Sequence, residues 1–380
     1  MTGAVQDTTV RGSEARPVSF ARGAPSVDIV DVEGLQQAAQ DAFTADPAGM
    51  TGYGTAVGYL PLRAWIAAKH GVPVEHVLVT NGSMQADAFL FDELVTPGTT
   101  VLAERPTYDR TLLGLRERGA DVRLVTLEED GIAVEEVAEL LAQGVRPALL
   151  HVIPTFQNPA GYTLSLAKRE RLVELARQHD FVVFEDDPYV DVRFSGEPLP
   201  RMLELDGGAA SEHVVYACSF SKTICPGIRV GYLVGPPAII DRVRVRATGT
   251  YIAPNMVAQG IVHAYLTGER FPAALERVKQ ALGERVGELD RALREHLPQA
   301  SFRRPEGGYF LWVSLPAYEG HDVARIVAEA AARGVAIVPG TDFLLEGGEN
   351  SFRLAYSAVQ VGDVDSGVRR LAEAVAAARG

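Results

Sequence analysis

Ser219-Phe220-Ser221-Lys222-Thr223-Ile224-Cys225-Pro226-Gly227-Ile228-Arg229-Val230-Gly231 is the stretch on which the reading of this chain turns. It follows a β-branched run, Val214 to Cys218, that reads as a strand, so its lysine stands just past a strand end. Lysine is scarce in the chain. There are four, Lys69, Lys168, Lys222 and Lys279, and only Lys222 lies outside the polar face of a helical pattern. An amine in a partly apolar loop loses basicity and becomes a nucleophile toward an aldehyde. The plain alternative is a surface lysine beside a turn. Ser219 and Ser221 supply hydroxyls around it, and Arg229 supplies a planar fork that matches phosphate oxygens.

Moving outward, Val77 to Thr80 reads as a strand and Ser83 to Leu94 as a helix, with Asn81-Gly82-Ser83-Met84 between them. Glycine allows close backbone approach there and the helix start offers free amides to an anion, although most such turns are only caps. Glu185-Asp186-Asp187-Pro188-Tyr189 ends another strand, Phe181 to Glu185. A carboxylate at that place can pair with a protonated ring nitrogen, and Tyr189 can donate to a ring hydroxyl; a solvated acidic turn is the bland reading. Arg353, in Ser351 to Ser357, sits in an apolar strand-like run and needs an anion, either a structural partner or a substrate carboxylate.

Further strand candidates are Thr100 to Ala103, Val122 to Thr126 and Ala148 to Val152, with helical stretches such as Ser165 to Gln178 between them. The alternation predicts an α/β chain with a mainly parallel sheet covered on both faces, whose ligands bind beyond the strands' carboxyl ends. A long helical pattern from Phe271 to Leu297 precedes strand-like Gly308 to Ser314 and Val335 to Val338, and helical His321 to Ala332 and Val361 to Ala378.

Taken together these segments resemble the class I/II aminotransferases of fold type I across roughly Phe20 to Ala378, closest to the aminoadipate and kynurenine aminotransferase branch. Ser219 to Gly231 carries the resemblance. Tyr53 to Arg63, Asn81 to Gln85, Pro106 to Asp109, Pro154 to Gly161, Glu185 to Tyr189, Gly307 to Trp312 and Ser351 to Ser357 support it in order. The resemblance implies a seven-stranded sheet between helices and a smaller α/β C-terminal domain, with an N-terminal arm at 1–50, a large domain at 51–282 and the small domain at 283–380. It implies pyridoxal 5′-phosphate held by Lys222 as a Schiff base. Asp186 pairs with the pyridine nitrogen, Asn158 and Tyr189 bond the ring's phenolic oxygen, and Tyr108 stacks on its face. Gly82, Ser83, Met84, Ser219, Ser221 and Arg229 hold the phosphate, with Tyr53 reaching the neighbouring subunit's phosphate in a homodimer with shared sites. Arg353 binds the substrate α-carboxylate, with Asn158 and Gly23 alongside, and Arg22 can receive a distal carboxylate or simply face solvent.

The implied reaction is ping-pong transfer of an amino group between an L-amino acid and a 2-oxo acid, 2-oxoglutarate among the acceptors. The same apparatus also serves cyclisation and elimination in specialised amino-acid biosynthesis. A non-catalytic regulator domain is a third reading; about 17 residues precede the resemblance, too few for a winged helix. At 380 residues, 47% hydrophobic and 22% charged, the chain can bury a large core, and its net charge of −13 disfavours a nucleic-acid partner. Cys218 and Cys225 cannot build a disulfide framework or a four-ligand zinc site, and no metal is expected; they read as core thiols. No run approaches 18 apolar residues and the start lacks a signal peptide, so no membrane and a cytoplasmic location are expected. Asn158–Pro159 is expected to be cis, with Arg105–Pro106 a second candidate.

Overall fold

Short apolar runs such as Val77-Leu78-Val79-Thr80 and Leu149–Val152 are buried at every position. A strand covered by helices on both faces has no solvent side, which is why these runs show no polar alternation. The computed structural model describes residues 16–315 and 323–378. Its strands are β1 (Val18–Ser19), β2 (Val77–Thr80), β3 (Thr100–Arg105), β4 (Asp121–Glu128), β5 (Gly131–Ile132), β6 (Leu149–Val152), β7 (Val182–Asp186), β8 (Val214–Ser219), β9 (Gly231–Val234), β10 (Phe310–Ser314), β11 (Val335–Ala336), β12 (Val338–Pro339) and β13 (Ser351–Ala355).

The large sheet runs β2-β9-β8-β7-β6-β3-β4-β5. Strands β8, β7, β6, β3 and β4 are mutually parallel, and β9 is antiparallel to both β2 and β8. This is the expected seven-stranded sheet with one addition, the two-residue β5, which folds back on β4. β9 is not anticipated from the sequence; it begins on Gly231, the last residue of the lysine-bearing stretch. The strand read across Val335 to Val338 splits in two. β11 pairs with β1, while β12 joins β10 and β13 in a three-stranded sheet. Of the helix read over His321 to Ala332, Val323–Ala332 is helical and 321–322 lie outside the described residues. No described helix is long and apolar enough to cross a membrane.

Two cores flank the large sheet, one including Leu102, Leu150 and Val183, the other Leu78, Val101 and Phe184. A third gathers Val18 and Phe20 with Leu282 to Leu297, the β10–β13 sheet and the last helix. The Arg270–His296 helix runs unbroken between these cores, so the expected boundary at 282/283 falls inside it. The N-terminal arm serves both sides. Val18–Ser19 pairs with β11, while Ala38 packs in the core that contains Tyr265.

Because β2, β3, β6, β7 and β8 point the same way, their carboxyl ends gather along one edge of the sheet. Beneath β6 and β7 that edge is held by Arg169, which is 1% exposed. Its guanidinium donates to the carbonyls of Leu164, Pro154 and Pro200 and to Thr155 Oγ1, and lies 3.8 Å from Glu185. Burial pushes the Glu185 carboxyl up, and pushes that of neighbouring Asp187 to about 7, with Arg169 opposing both shifts. Removing the cation leaves these carboxyls without their counter-charge. Arg169→Met is expected to lower stability by about 3–5 kcal/mol, read as a lower urea midpoint. Lys279→Ala, which breaks only a surface pair with Glu276, should stay within about 0.5 kcal/mol of wild type.

Candidate active site

At the gathered strand ends lies a cavity of about 150 Å³ whose walls include Ser83, Met84, Tyr108, Asn158, Asp186, Tyr189, Ser219, Ser221, Lys222 and Arg229. The structure thus brings together ten residues that the sequence singled out from five separate segments. Asp87, Ile153 and Pro188 also line it.

One end of the cavity is built for an anion. Gly82 takes φ +87° and starts the Ser83–Leu94 helix with no side-chain cap, so the first amides of that helix are left free. A Cβ on Gly82 would stand 2.2 Å from Arg229 Nη2. Arg229, itself at φ +49°, donates from Nη1 to Ser221 Oγ at 3.0 Å and from Nη2 to the Asn81 carbonyl at 3.3 Å. Gly231 has to be small for the same reason, since a Cβ there would meet Ser83 N at 2.5 Å.

The other end carries carboxyls. Asp186, 4% exposed, ends β7 with its Oδ1 buried and unpartnered. His151 of β6 approaches its Oδ2 at 3.8 Å. Tyr108 lies between the ends, its hydroxyl pushed up to about 12 by burial and then by Asp109. Burial also raises Tyr189. Both Arg105–Pro106 and Asn158–Pro159 are cis, as the sequence suggested, and they precede Tyr108 and follow the Asn158 side chain that faces the cavity.

Lys222 bridges the two ends. Its Nζ donates to the Gly23 carbonyl at 2.9 Å and lies 5.5 Å and 5.4 Å from the ring centres of Tyr189 and Tyr309. No carboxylate pairs with it among the described residues. Burial, then the positive charges of Arg353 and Arg229, pull its amine down to about 8. The other lysines all have acid partners: Lys69 pairs with Asp191, Lys168 with Glu128 and Asp130, Lys279 with Glu276.

Arg353 on β13 is 8% exposed and sandwiched between Phe310 and Phe343. It donates to Asn158 Oδ1 at 2.9 Å and to the Ala21 carbonyl at 3.1 Å, while its Nε is buried without a partner. No carboxylate satisfies it, so the structural ion pair weighed from sequence is absent among the described residues. Two candidates stand apart: Tyr53 is 94% exposed and Arg22 also faces solvent. The thiols divide, Cys218 buried and Cys225 only partly so. Sequence reasoning missed Asp87, His151 and Tyr309. The last donates its hydroxyl to the Lys222 carbonyl at 2.6 Å, and an aromatic within a Gly-Gly-Tyr-Phe run gives no sign of that contact.

Residues 17–371 match the family model described as aminotransferase class I and II. The 2-aminoadipate transaminase of Thermus thermophilus is 34% identical over 380 residues, covering 98% of this chain and 95% of that protein. Aromatic-amino-acid aminotransferase 1 of Thermococcus litoralis is 31% identical over 370 residues, 94% of this chain and 88% of its own. Among solved structures, the α-aminoadipate aminotransferase of Thermus thermophilus, complexed with N-(5′-phosphopyridoxyl)-L-leucine, superposes with a TM-score of 0.90 at 33% identity, over 96% of this chain and 93% of that one. A lysine, an anion cradle and a buried acid around one cavity, on a chain matched over nearly its full length, have one family in common: the chain belongs to the class I and II aminotransferases, pyridoxal-phosphate-dependent enzymes of fold type I.

Proposed function

We propose that Lys222 is the cofactor lysine and acid–base group of a transamination between an L-amino acid and a 2-oxo acid. The observation that carries this reading is that Lys222, alone among the four lysines, has no acid partner among the described residues and stands half-buried in the cavity that holds both the anion cradle and Asp186. The residues fit pyridoxal 5′-phosphate. The uncapped helix start, Ser219, Ser221 and Arg229 suit its phosphate, and the unpartnered Oδ1 of Asp186 suits a ring N–H. When bound, that group supplies an aldehyde carbon and a ring that accepts electrons from a substrate's Cα.

Each side chain then has a defined task. Asp186 keeps a proton on the ring nitrogen, placing positive charge where electrons arrive. Tyr108 covers one ring face, and Asn158 and Tyr189 hold the phenolic oxygen. Arg353 takes the substrate α-carboxylate, its own position set by Asn158 and the Ala21 carbonyl. A carboxylate so held would be kept from leaving, and the substrate's Cα–H would be the bond presented for cleavage. An amine near 8 is free base for an appreciable part of the time at neutral pH, so Lys222 Nζ would be able to accept a substrate's Cα proton. Cyclisation and elimination have no observation in their favour.

Further parts of the reading concern assembly and substrate. Tyr53, exposed between Gly52 and Gly54, suits a phosphate contact in the neighbouring copy of a homodimer. The exposed Arg22 and the carbonyl of Gly23 border the substrate side, and Arg22 suits a distal carboxylate, with 2-oxoglutarate as an acceptor. The division we propose is an arm at 1–50, a large domain at 51–282 and a small domain at 283–380, the last two joined through the Arg270–His296 helix. Two unpaired cysteines are in keeping with a reducing cytoplasm.

In cofactor-free protein, acylation of Lys222 followed by peptide mapping should titrate with a midpoint near pH 8, while Lys168, raised by its two acid neighbours, stays unreactive until far higher pH. A Lys222 midpoint with the other lysines would remove it from its role. Arg353→Ala should weaken amino-donor binding at least about tenfold, the worth of a charge-assisted pair, while the cofactor stays bound. For the shared site, Lys222→Ala and Tyr53→Phe chains are mixed and allowed to exchange. Activity per Lys222-bearing chain should rise above that of Tyr53→Phe alone, because one site in each hybrid is wild type; confirmed exchange without a rise assigns Tyr53 no role across an interface.

A further inference from the structure

Asp87 lies one turn into the Ser83–Leu94 helix, just past the amides that form the anion cradle, and no step above uses it. It is 5% exposed and its Oδ1 is buried with no hydrogen-bond partner. Its carboxyl faces two spaces at once. One is the cofactor cavity, which it lines with Asp186. The other is a cavity of about 260 Å³ between its own helix and Asp109–Glu117, whose outer wall includes the exposed Leu113 and Glu117.

The charged and titratable groups around this corner do not neutralise it. Strand β7 presents Asp186, whose own Oδ1 is also unpartnered. Strand β6 presents His151, which approaches Asp186 at 3.8 Å and Thr111 Oγ1 at 3.5 Å. From β3, Glu104 spends its carboxyl on Ile153 N and Gln157 Nε2. Tyr108 offers only a phenol. In the outer cavity, Arg118 is committed to Asp92 and to the Gly114 and Ala88 carbonyls, and Arg110 lies beside Asp109. The cations of the shared cavity are engaged elsewhere, Lys222 at the Gly23 carbonyl and Arg229 at Ser221 and the Asn81 carbonyl, so neither carboxyl has a lysine or arginine partner among the described residues, and charge on one disfavours charge on the other. Burial, and after it the charge of Asp186, push the Asp87 carboxyl well above the ordinary carboxylate range.

We propose that Asp87 is a second carboxyl at the ring-nitrogen end of the site, a positioning residue that holds one proton beside Asp186 and exchanges it with solvent through the cavity between the two helices. The inference rests on the reading that Asp186 faces the ring nitrogen. With Asp87 neutral, that end presents one negative charge to one ring N–H; with Asp87 ionised it presents two. Asp87 therefore sets the pH above which the charge around the ring changes.

The test starts from cofactor-free protein, where Asp87 can be read without the ring. An unfolded Asp87 releases its proton near pH 3.9, whereas the folded one keeps it. The folding equilibrium of wild type should thus fall, relative to Asp87→Asn, about tenfold per pH unit as pH rises, until the folded carboxyl ionises and the ratio levels off. Chemical denaturation between about pH 5 and 9 reads this ratio, and Asp87→Leu, which also lacks the proton, should show the same pH dependence even if its packing differs. In an Asp186→Asn background the levelling should come at lower pH, because the neighbouring charge is gone. On binding pyridoxal phosphate, wild type should show an inflection in affinity at the pH where the ratio levels, and Asp87→Asn should lack it. A stability ratio independent of pH overturns the proposal, since Asp87 is then ionised throughout or merely packs. So does a levelling pH that Asp186→Asn leaves unmoved, or an affinity profile shared by wild type and Asp87→Asn. Failure of the reading beneath it looks different: Asp186→Asn would then keep wild-type affinity for the cofactor whatever Asp87 does.

Discussion

The Lys222 amine is the constraint around which the rest is arranged. A reactive lysine at neutral pH cannot be given a carboxylate partner, because the partner would hold its proton. It has to be kept dry instead, and dryness comes from packing. Tyr189 and Tyr309 flank the amine, the backbone of the N-terminal segment lies over it through the Gly23 carbonyl, and the Tyr309 hydroxyl pins the lysine's own carbonyl. The cations Arg353 and Arg229 push in the same direction as burial, with Asp186 opposing them. Neither serves the lysine alone. Each has unsatisfied donor capacity or an anion cradle to attend to, so the groups that lower the lysine's basicity are the same ones that suit the ligand's phosphate and carboxylate.

The site is therefore polar along its length, with cations and free amides toward the start of the Ser83–Leu94 helix and carboxyls toward β7. Unpartnered polar atoms are expensive in a folded protein. Three of those in this protein, Asp186 Oδ1, Asp87 Oδ1 and Arg353 Nε, lie around or beside one cavity. A ligand with matching donors and acceptors would satisfy those atoms, which the cores on both faces of the sheet hold in place.

How far the sequence could be read follows from what makes each residue distinctive. Asp186, Lys222 and Gly82 were legible because each stands at a strand end beside a turn, where ordinary packing does not require that residue type. The cis bonds at Pro106 and Pro159 were legible for the same reason. Asp87 was not: a carboxylate in the middle of a helical pattern reads as a solvated face, and only the fold turns that face inward. His151 sits within the buried strand β6, where a sequence shows an apolar run with one exception and nothing to say what the exception meets. β9 was overlooked because antiparallel pairing to β2 and β8 is a property of neighbours far apart in the chain. The lysines at 69 and 168 read as solvated charges, yet both are largely covered and engaged by acids from other segments.

The N-terminal segment explains why the reacting centre is so much more legible than the substrate's side chain. Residues 20–24 are held almost wholly through their backbone. The Phe20 carbonyl accepts from Ala355 N, that of Ala21 from Arg353, that of Gly23 from Lys222, and that of Ala24 from Ser357 Oγ. Downstream, Asp28 pairs with the buried Arg285 at 2.8 Å, which ties the segment to the Arg270–His296 helix. Two side-chain positions in it are constrained: Phe20 is wholly buried in the third core, and at Gly23 a Cβ would run into the Phe310 ring at 2.4 Å. Arg22 is thus free to change without disturbing Lys222 or Arg353. Lys222 and Arg353 stand where the fold constrains them, and the Arg22 side chain where it does not.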